Sequence, residues 1–357
     1  MNRDFTTRKY LDSNGKTVHI RKPLRWGLSF GLTPFANTAY GTTFTTDSSF
    51  GSFENIFNGE GGVSRVFINN GIRLGEHVAI GYSARFLFGS INDYRVYIFP
   101  DSLNIKGQQN HNRLALNGFQ HNLSMLYTFS KEYDSTRNRA KYFREKAKKL
   151  NHTFGATLTL GSKINSNSTK LVQSMDYSNG TLILEDTLVF NESLRSKVKL
   201  PSGFTLGYAV QKGNKWRVAA EYKRENWSQF KWDNSNDSFA NSNEYSLGFT
   251  LNPDAAEATA EKIEVRFGLR HKQSYLKFQE LSGNYSNLTE TGITFGLGIP
   301  LVGKYYGTEK NLHNILDFGV EYYTRGKKVS GLVKENYINF TLGITFNDYW
   351  FKRRKIY

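Results

Sequence analysis

Near its C-terminal end the chain alternates strictly between apolar and polar residues. From Ile338 to Phe346 every second residue is large and apolar, and those between them are asparagine, threonine or glycine. Successive side chains of a β-strand point to opposite faces of a sheet, so the pattern predicts a strand with one apolar and one polar face. An aromatic cluster at 349–351 and a basic run at 352–355 follow. This order is typical of a chain that leaves a membrane.

The same alternation recurs along most of the chain. The first predicted strand covers 24–35, and a tight turn at 75–77 joins two further strands, 63–74 and 78–89. The other predicted strands lie near residues 119–129, 153–161, 204–210, 216–222, 245–251, 263–269, 293–299, 316–322 and 338–346. About twelve strands are predicted, with room for two more in the N-terminal part. The fold class we expect is all-β, a transmembrane antiparallel β-barrel of 12–14 strands.

The connections between the predicted strands alternate in length. Tight turns at 75–77 and 212–214 contrast with long polar connections. The long connections are 37–62, 90–116, 162–200, 227–243 and 325–335. The first of these has room for a short hairpin, and Asn179-Gly180 predicts another within 162–200. Bacterial outer-membrane barrels combine short periplasmic turns with long outer loops, so we expect the tight turns, both termini and the insert 131–150 on the periplasmic side.

Composition supports a barrel over other membrane folds. Hydrophobic residues make up 38% of the chain and aromatic residues 15%, and no apolar window of about 18 residues exists, which excludes a helical membrane protein. A barrel needs only one apolar face on each strand. A soluble β-sandwich is the alternative, but its outward positions should carry lysine, glutamate and threonine rather than repeated apolar stripes.

The domain organisation is predicted to be a polar segment, 1–23, followed by a single barrel, 24–357. The polar segment has no apolar core of the kind found in a signal peptide. Because a barrel of the outer membrane of a Gram-negative bacterium must be exported, we expect that the sequence starts after processing or is truncated. The alternative is a cytosolic protein that is not a barrel.

The formal net charge of +16 would suggest nucleic-acid binding in a soluble protein. Here the basic residues gather in turns and at the C-terminal tail, which favours outer-membrane lipid, lipopolysaccharide or a protein partner over nucleic acid. The insert 131–150 is predicted to form a short basic helix, either solvated and touching lipid or docked to a periplasmic partner. The candidate contact residues are Arg137, Arg139, Lys141, Arg144, Lys146, Lys148, Lys149, Lys352, Arg353, Arg354 and Lys355.

The polar strand faces carry charges of both signs, which in a barrel point into the lumen. The candidate lumen residues are Arg217, Glu221, Lys223, Glu264, Arg266, Arg270, Asp317 and Glu321. We expect ion pairs across the lumen. They either complete a satisfied polar network or serve selectivity or substrate binding. Glycines on the same faces leave room for large neighbours or for strand curvature.

Catalytic and metal-binding patterns are missing from the sequence. There is no cysteine, and the seven histidines show no metal-ligand spacing. No GxSxG motif occurs. We therefore expect no enzymatic activity, no cofactor and no metal.

One hairpin and four shorter pieces resemble a known family. In 200–230 the hairpin combines Pro201, the step Gly207-Tyr208-Ala209, Trp216 and Trp227-Ser228. It resembles the hairpin of the FadL-type outer-membrane long-chain fatty-acid transporter superfamily. Pieces at 27–41, 291–301, 316–326 and the C-terminal end look like the Bacteroidota branch of that superfamily.

The resemblance implies a monomeric barrel of fourteen strands, a plugged lumen and passage of hydrophobic compounds through the wall. This sequence departs from the family pattern, because it has no Asn-Pro-Ala hatch motif and its outer loops are polar. Two functions therefore remain open. One is passage of small hydrophobic molecules across the outer membrane. The other is a non-transporting accessory subunit of a larger envelope complex for protein secretion or outer-membrane protein assembly.

The C-terminal strand is predicted to close the barrel by pairing with both the preceding and the first strand. Its end is also the natural place for the signal that insertion machinery reads. The aromatic candidates for the girdle and this signal are Tyr349, Trp350, Phe351 and Tyr357.

Overall fold

In a computed structural model, the described residues form eighteen strands and one short 3₁₀ helix. The structure describes residues 7–11, 17–21, 25–48, 51–75, 77–99, 105–129, 150–178, 181–213, 215–232, 239–252, 263–280, 283, 285–303, 312–328 and 333–345. The first nine strands are β1 (Thr7–Leu11), β2 (Thr17–Arg21), β3 (Trp26–Asn37), β4 (Tyr40–Ser48), β5 (Gly51–Leu74), β6 (Val78–Ile98), β7 (Gly107–Phe129), β8 (Leu150–Thr159) and β9 (Ser162–Ser178). The other nine are β10 (Thr181–Leu200), β11 (Gly203–Lys212), β12 (Trp216–Glu225), β13 (Lys231–Trp232), β14 (Ser242–Leu251), β15 (Glu264–Gln279), β16 (Tyr285–Gly303), β17 (Leu312–Arg325) and β18 (Glu335–Thr345). The 3₁₀ helix is Trp227–Gln229.

The segment predicted only as polar, 1–23, contains a small hairpin. Strands β1 and β2 pair with each other, with Thr7 opposite Arg21, and form a separate two-stranded sheet. Within the described ranges, no helix has the length and apolar character needed to span a bilayer.

The other sixteen strands form one antiparallel sheet. Strands β3 and β4 run along β5 one after the other, and Asn37 opposite Gly62 has the same register as Tyr40 opposite Gly59. In the same way β9 continues β8, β10 leads into β11, and β13 follows β12. Each of these four pairs of consecutive strands occupies one position in the sheet. We call each such position a path, and the described residues form twelve paths.

This wall of twelve paths confirms the prediction of an all-β, antiparallel barrel fold at the lower end of the expected strand number. The fourteen strands implied by the family resemblance are not reached within the described ranges. The stretch 37–62 does not add a separate pair of wall strands. It extends the first path and its partner beyond the region of apolar alternation.

The alternating residues separate into two faces. Arg266 on β15 lies opposite Gly296 on β16, and the adjacent Phe267 lies opposite Phe295, so charged and apolar positions stay in register from strand to strand. We call the two sides of the wall the polar face and the apolar face. Large exposed side chains on the apolar face include Leu28, Ile68, Ile80, Leu123, Leu206, Leu247, Leu269, Ile293 and Phe340. A surface of this kind requires an apolar environment such as lipid.

The predicted long loops are partly long strands. Residues 90–98 belong to β6 and residues 107–116 to β7, although both were predicted to lie in a loop. Their alternation is weak because strands that extend beyond an apolar slab pair through the backbone and need no apolar face. The predicted 162–200 hairpin is confirmed as β9 and β10, with its turn, 179–180, outside the described residues. We call the end of the wall to which these long strands extend the extended end. The other end of the strands, where the turn 75–77 lies, is the turn end.

The sheet ends at β3 and β18. Strand β18 pairs with β17 as predicted, but no pairing joins it to β3, although both strands are fully described. The backbone N–H of Arg73 donates to the carbonyl of Arg25 at 3.0 Å, so odd-numbered residues of β3 bond to β5 and even-numbered residues face the free edge. Pro34, which has no N–H, lies on that free side, where a proline is tolerated.

A small buried cluster lies on the polar face at the extended end. It contains Val63, Leu87, Ile164, Val198 and Leu200, packed against Ile91, Leu116 and Phe230. Leu87 is fully buried, with 0% of its surface exposed. Gly118 makes this packing possible, because a Cβ there would lie 2.6 Å from the Cβ of Ile164. The cluster closes part of the polar face just beyond the charged region.

Candidate functional site

The charged side chains of the polar face meet along the wall. Arg266 on β15 donates from Nε to Oε1 of Glu264 at 2.7 Å and from Nη1 to Oδ1 of Asp317 at 2.7 Å. Glu264 lies opposite Gly298 on β16, and Gly298 lies opposite Asp317 on β17. The guanidinium therefore connects two carboxylates that stand on either side of a glycine.

Gly298 provides the space for this contact. A Cβ at that position would lie 3.0 Å from Nη2 of Arg266 and 3.3 Å from Oδ1 of Asp317. Any side chain there would compete with the ion pair for the same volume. The expectation that glycines on this face make room for large neighbours is met at this position.

A second arginine extends the network to the last strand. Arg270 donates from Nη2 to Oε1 of Glu321 at 3.0 Å, and its guanidinium carbon lies 5.6 Å from the ring centre of Tyr323. Asn339 on β18 donates from Nδ2 to Oε2 of Glu321 at 3.4 Å. Tyr323 also stacks on Tyr337 of β18, with ring centres 4.7 Å apart. We call the polar residues on β15 to β18 that make these contacts the arginine network.

The other predicted lumen residues have different partners. Arg217 donates from Nε to Oε1 of Gln211 at 3.1 Å, and Nζ of Lys223 lies 3.0 Å from Oε1 of Glu225. Glu221 is exposed and forms no ion pair within the part of the chain that the structure describes.

The expectation of ion pairs across the lumen is wrong for these residues. Each pair joins residues of one strand or of strands that lie no more than two positions apart in the sheet. A twelve-stranded wall encloses more width than two side chains can span, because barrel diameter grows with strand number. The sequence analysis did not identify Gln211, Glu225, Tyr323 and Asn339 as partners of these residues. Only the glycines at 296 and 298, on the strand between β15 and β17, could have indicated that side chains of β15 and β17 meet across β16.

The arginine network remains open to water. The side chains of Arg266 and Arg270 are 40% and 33% exposed. Ion pairs with this exposure contribute about 0–1 kcal/mol each. The network therefore neutralises charge along the wall, and its arginine side chains remain partly exposed to solvent.

Two further arginines, not identified from the sequence, also lie on the polar face, on strands β5 and β6 near the β3 edge of the sheet. Arg65 on β5 donates from Nε to Oγ1 of Thr33 at 3.3 Å. With the amide of Asn122 assigned so that its oxygen faces Arg85 on β6, this oxygen accepts from Nη1 and Nη2 at 3.0 and 2.9 Å. In the described ranges no carboxylate pairs with either guanidinium. This part of the polar face is consequently positive.

Two groups of predicted contact residues cannot be placed. The basic insert residues 137–149, the basic run 352–355 and the aromatic residues 349–351 and 357 lie outside the described residues. Among the described residues, no three histidines or carboxylates come close enough to hold a metal ion.

Comparison with known proteins decides the family. The BamG family model matches residues 16–357. The chain belongs to the BamG family. The match covers nearly the whole sequence, including every strand of the wall. It supports a barrel family, and the FadL-type assignment stays a prediction from the sequence.

The comparisons with solved structures and with curated sequences do not narrow the family assignment further. The crystal structure of the Pseudomonas putida toluene transporter TodX matches with a TM-score of 0.39 and 12% identity, covering 89% of this chain and 86% of that one. Comparison with curated protein sequences gives no significant match.

Proposed function

We propose that this protein is an outer-membrane barrel that acts as a non-catalytic subunit of the machinery that assembles outer-membrane proteins. The observation that carries the proposal is the BamG family match over residues 16–357, since the designation Bam refers to that β-barrel assembly machinery. The exposed apolar face supports a membrane location, because such a surface would aggregate in water.

The geometry of the polar face favours a structural role. Arg266 and Arg270 are paired with carboxylates on their own strand or on β17, so the charge of these two guanidinium groups is neutralised within the wall. The buried cluster around Leu87 covers part of the same face at the extended end. A wall with paired arginines and a partly covered polar face suits a subunit that presents surfaces to partners.

We further propose that the turn end faces the periplasm, because short turns are periplasmic in outer-membrane barrels. This is the side on which the sequence predicts the basic insert 131–150 and the basic run 352–355. We assign them to contacts with periplasmic subunits or with anionic lipid headgroups, including lipopolysaccharide.

Depletion and co-purification test the proposal. An affinity-tagged chain should co-purify from native membranes with other assembly subunits at fixed stoichiometry, and depletion should lower the folded amounts of many unrelated outer-membrane proteins. Recovery of the chain alone, with normal levels of other barrels after depletion, would rule out the assembly role.

Passage of small hydrophobic molecules is the second candidate. A cavity of about 510 Å³ is lined largely by small residues of the polar face, including Gly27, Ser29, Gly71, Gly81, Ser124 and Thr157. Space of this kind suits a solute path. Uptake of a hydrophobic solute into liposomes that contain the purified protein should exceed that of protein-free liposomes, and equal rates would exclude this candidate.

A further inference from the structure

The strands near the β3 edge carry positive charge with no carboxylate among them. The wall parts of β3 and of β5 to β8 contain three arginines but no aspartate or glutamate. These parts are residues 26–37, 63–74, 78–89, 118–129 and 150–159. The strands of the arginine network, in contrast, carry Glu264, Asp317 and Glu321 on the polar face. The wall is therefore divided into a basic half and a half of mixed charge.

Two of these arginines are neighbours on the polar face. Arg65 lies opposite Leu87 and Arg85 lies opposite Phe67, so the arginines occupy diagonal positions on the paired strands β5 and β6. Residues at such positions are about 7–8 Å apart, within reach of long side chains. Both arginines are partly buried, and like charges at this spacing repel each other. An anion bound by both would remove this repulsion.

Neutral neighbours orient both guanidinium groups. Oγ1 of Thr33 accepts from Nε and Nη2 of Arg65 at 3.3 and 3.2 Å. The amide of the buried Asn122, with its oxygen toward Arg85, accepts from Nη1 and Nη2 of that arginine. Within the part of the chain that the structure describes, Nη1 of Arg65 and Nε of Arg85 donate to no protein group. Oriented donors thus remain for a ligand.

A buried hydroxyl lies next to Arg85 on the turn-end side. Ser83 precedes Arg85 by two residues on the same face of β6, opposite Asn69 on β5 and Asn122 on β7. Its Oγ is buried and has no hydrogen-bond partner among the described residues. Buried hydroxyls are normally hydrogen-bonded, so Ser83 indicates a hydrogen-bonding species here that is not part of the chain.

The arginines lie between a cavity and the buried cluster. The cluster around Leu87 covers the polar face on their extended-end side. On their turn-end side lies the cavity of about 510 Å³, whose lining includes Asn69 and Ser124. The carboxylate in that lining, Glu221, forms no ion pair with either arginine in the described ranges. A ligand that enters through the cavity would meet the two arginines at its end.

We propose that Arg65, Arg85 and Ser83 form a binding site for a phosphate group inside the wall. A phosphate dianion matches the charge of both guanidinium groups, and its oxygens accept the paired N–H groups that arginine presents. A carboxylate carries one negative charge and would neutralise only one of the two arginines. The site does not depend on the assembly role.

Calorimetric titration of the detergent-purified chain with inorganic phosphate tests the site. At about pH 8, where phosphate is mainly a dianion, binding should be saturable, and acetate at equal ionic strength should bind at least tenfold more weakly. Failure to detect saturable phosphate binding would overturn the proposal. Equal binding of acetate would overturn it as well, because the site would then not require a dianion.

Substitution of either arginine makes the test specific. Arg65→Gln and Arg85→Gln should each raise the Kd for phosphate at least tenfold. Arg113→Gln, at an exposed arginine of β7 outside the basic half of the wall, removes the same charge and should leave the Kd unchanged. If all three variants weaken binding equally, the effect comes from net charge alone and the site is wrong.

Thermal unfolding separates binding from support of the fold. Phosphate should raise the Tm of the unsubstituted chain above its Tm in chloride of equal ionic strength, and Arg85→Gln should abolish this shift. A variant that melts lower but keeps the phosphate-dependent shift would contradict the proposal. If the arginine variants do not fold, Ser83→Ala decides, with a Kd about fivefold higher for one lost hydrogen bond. An unchanged Kd would then count against the site.

The phosphate group can belong to a soluble compound or to a lipid headgroup. Native mass spectrometry of the chain from membranes distinguishes these sources. A lipid adduct that is lost in Arg85→Gln identifies a lipid phosphate, whereas binding of inorganic phosphate without a lipid adduct identifies a soluble compound. The assembly role is tested by co-purification and depletion, so either proposal can fail while the other stands.

Discussion

Arg266 and Asp317 lie on strands separated by a third strand, yet Nη1 of the arginine is 2.7 Å from Oδ1 of the aspartate. The side chain reaches this far because the intervening strand presents Gly298 at the crossing point. The absence of a side chain at Gly298 therefore allows a contact between β15 and β17 across β16.

Gly298→Ala should weaken this coupling. Its Cβ would approach both partners, so the guanidinium must shift and part of the pairing, about 0.5–1 kcal/mol of unfolding free energy, should be lost. Gly248→Ala on β14 is the matched control, because nothing lies within 4 Å of its Cβ. Denaturant unfolding in detergent measures both, and equal stabilities would contradict the assigned role of Gly298.

Glu321→Gln should lower stability by up to about 1 kcal/mol, because it removes the anionic partner of a partly exposed Arg270. The loss should shrink in 1 M salt, where such pairs are screened. Glu221→Gln serves as the comparison, since this exposed carboxylate has no ion pair in the described part of the wall. A loss that is independent of salt would argue against an electrostatic origin.

Leu87→Ala should destabilise the protein by about 2–5 kcal/mol, because it opens a cavity in a fully buried cluster. Leu188→Ala, at a leucine that is 56% exposed, should change the unfolding free energy by less than about 0.5 kcal/mol. Thermal unfolding of the folded band on gels gives the ranking. Similar midpoints would mean that the cluster contributes little.

Gly61→Ala should cost about 1–3 kcal/mol of unfolding free energy, because Gly61 has a φ of 99° and its Cβ would lie 2.4 Å from the carbonyl oxygen of Ser90. Gly27→Ala is the control, with a φ outside the left-handed region and nothing within 4 Å of its Cβ. The two variants are compared by yield of folded protein and by unfolding midpoint. A neutral Gly61→Ala would show that β5 can relax at this position.

The alternating pattern was sufficient to predict which face each wall residue occupies. Phe267 and Leu269 lie on the exposed apolar face, and Arg266 and Arg270 on the polar face, as their spacing required. The pattern failed where strands leave the apolar region. Residues 90–98 pair through the backbone whatever their side chains are, so their sequence resembles a loop.

The partners within the arginine network depend on register. Glu264 and Asp317 meet at Arg266 only because β15, β16 and β17 are aligned to the residue. A shift of one residue would move every side chain to the other face, and neither composition nor spacing specifies the alignment across two turns. The candidate residues could be named from the sequence, whereas their contacts could not.

The order of strands in the wall also bears on how the chain folds. Every path pairs with the paths before and after it in sequence, so assembly can proceed by local hairpins, which form quickly. The first edge, β3, and the last edge, β18, are unpaired in the structure, so sealing the wall would be a further, non-local step. Bringing these edges together across about 300 residues costs only about 3 kcal/mol more than closing a ten-residue loop, because closure entropy grows with the logarithm of length. Growth of the wall should therefore be fast, and sealing it should be the slow, concluding event.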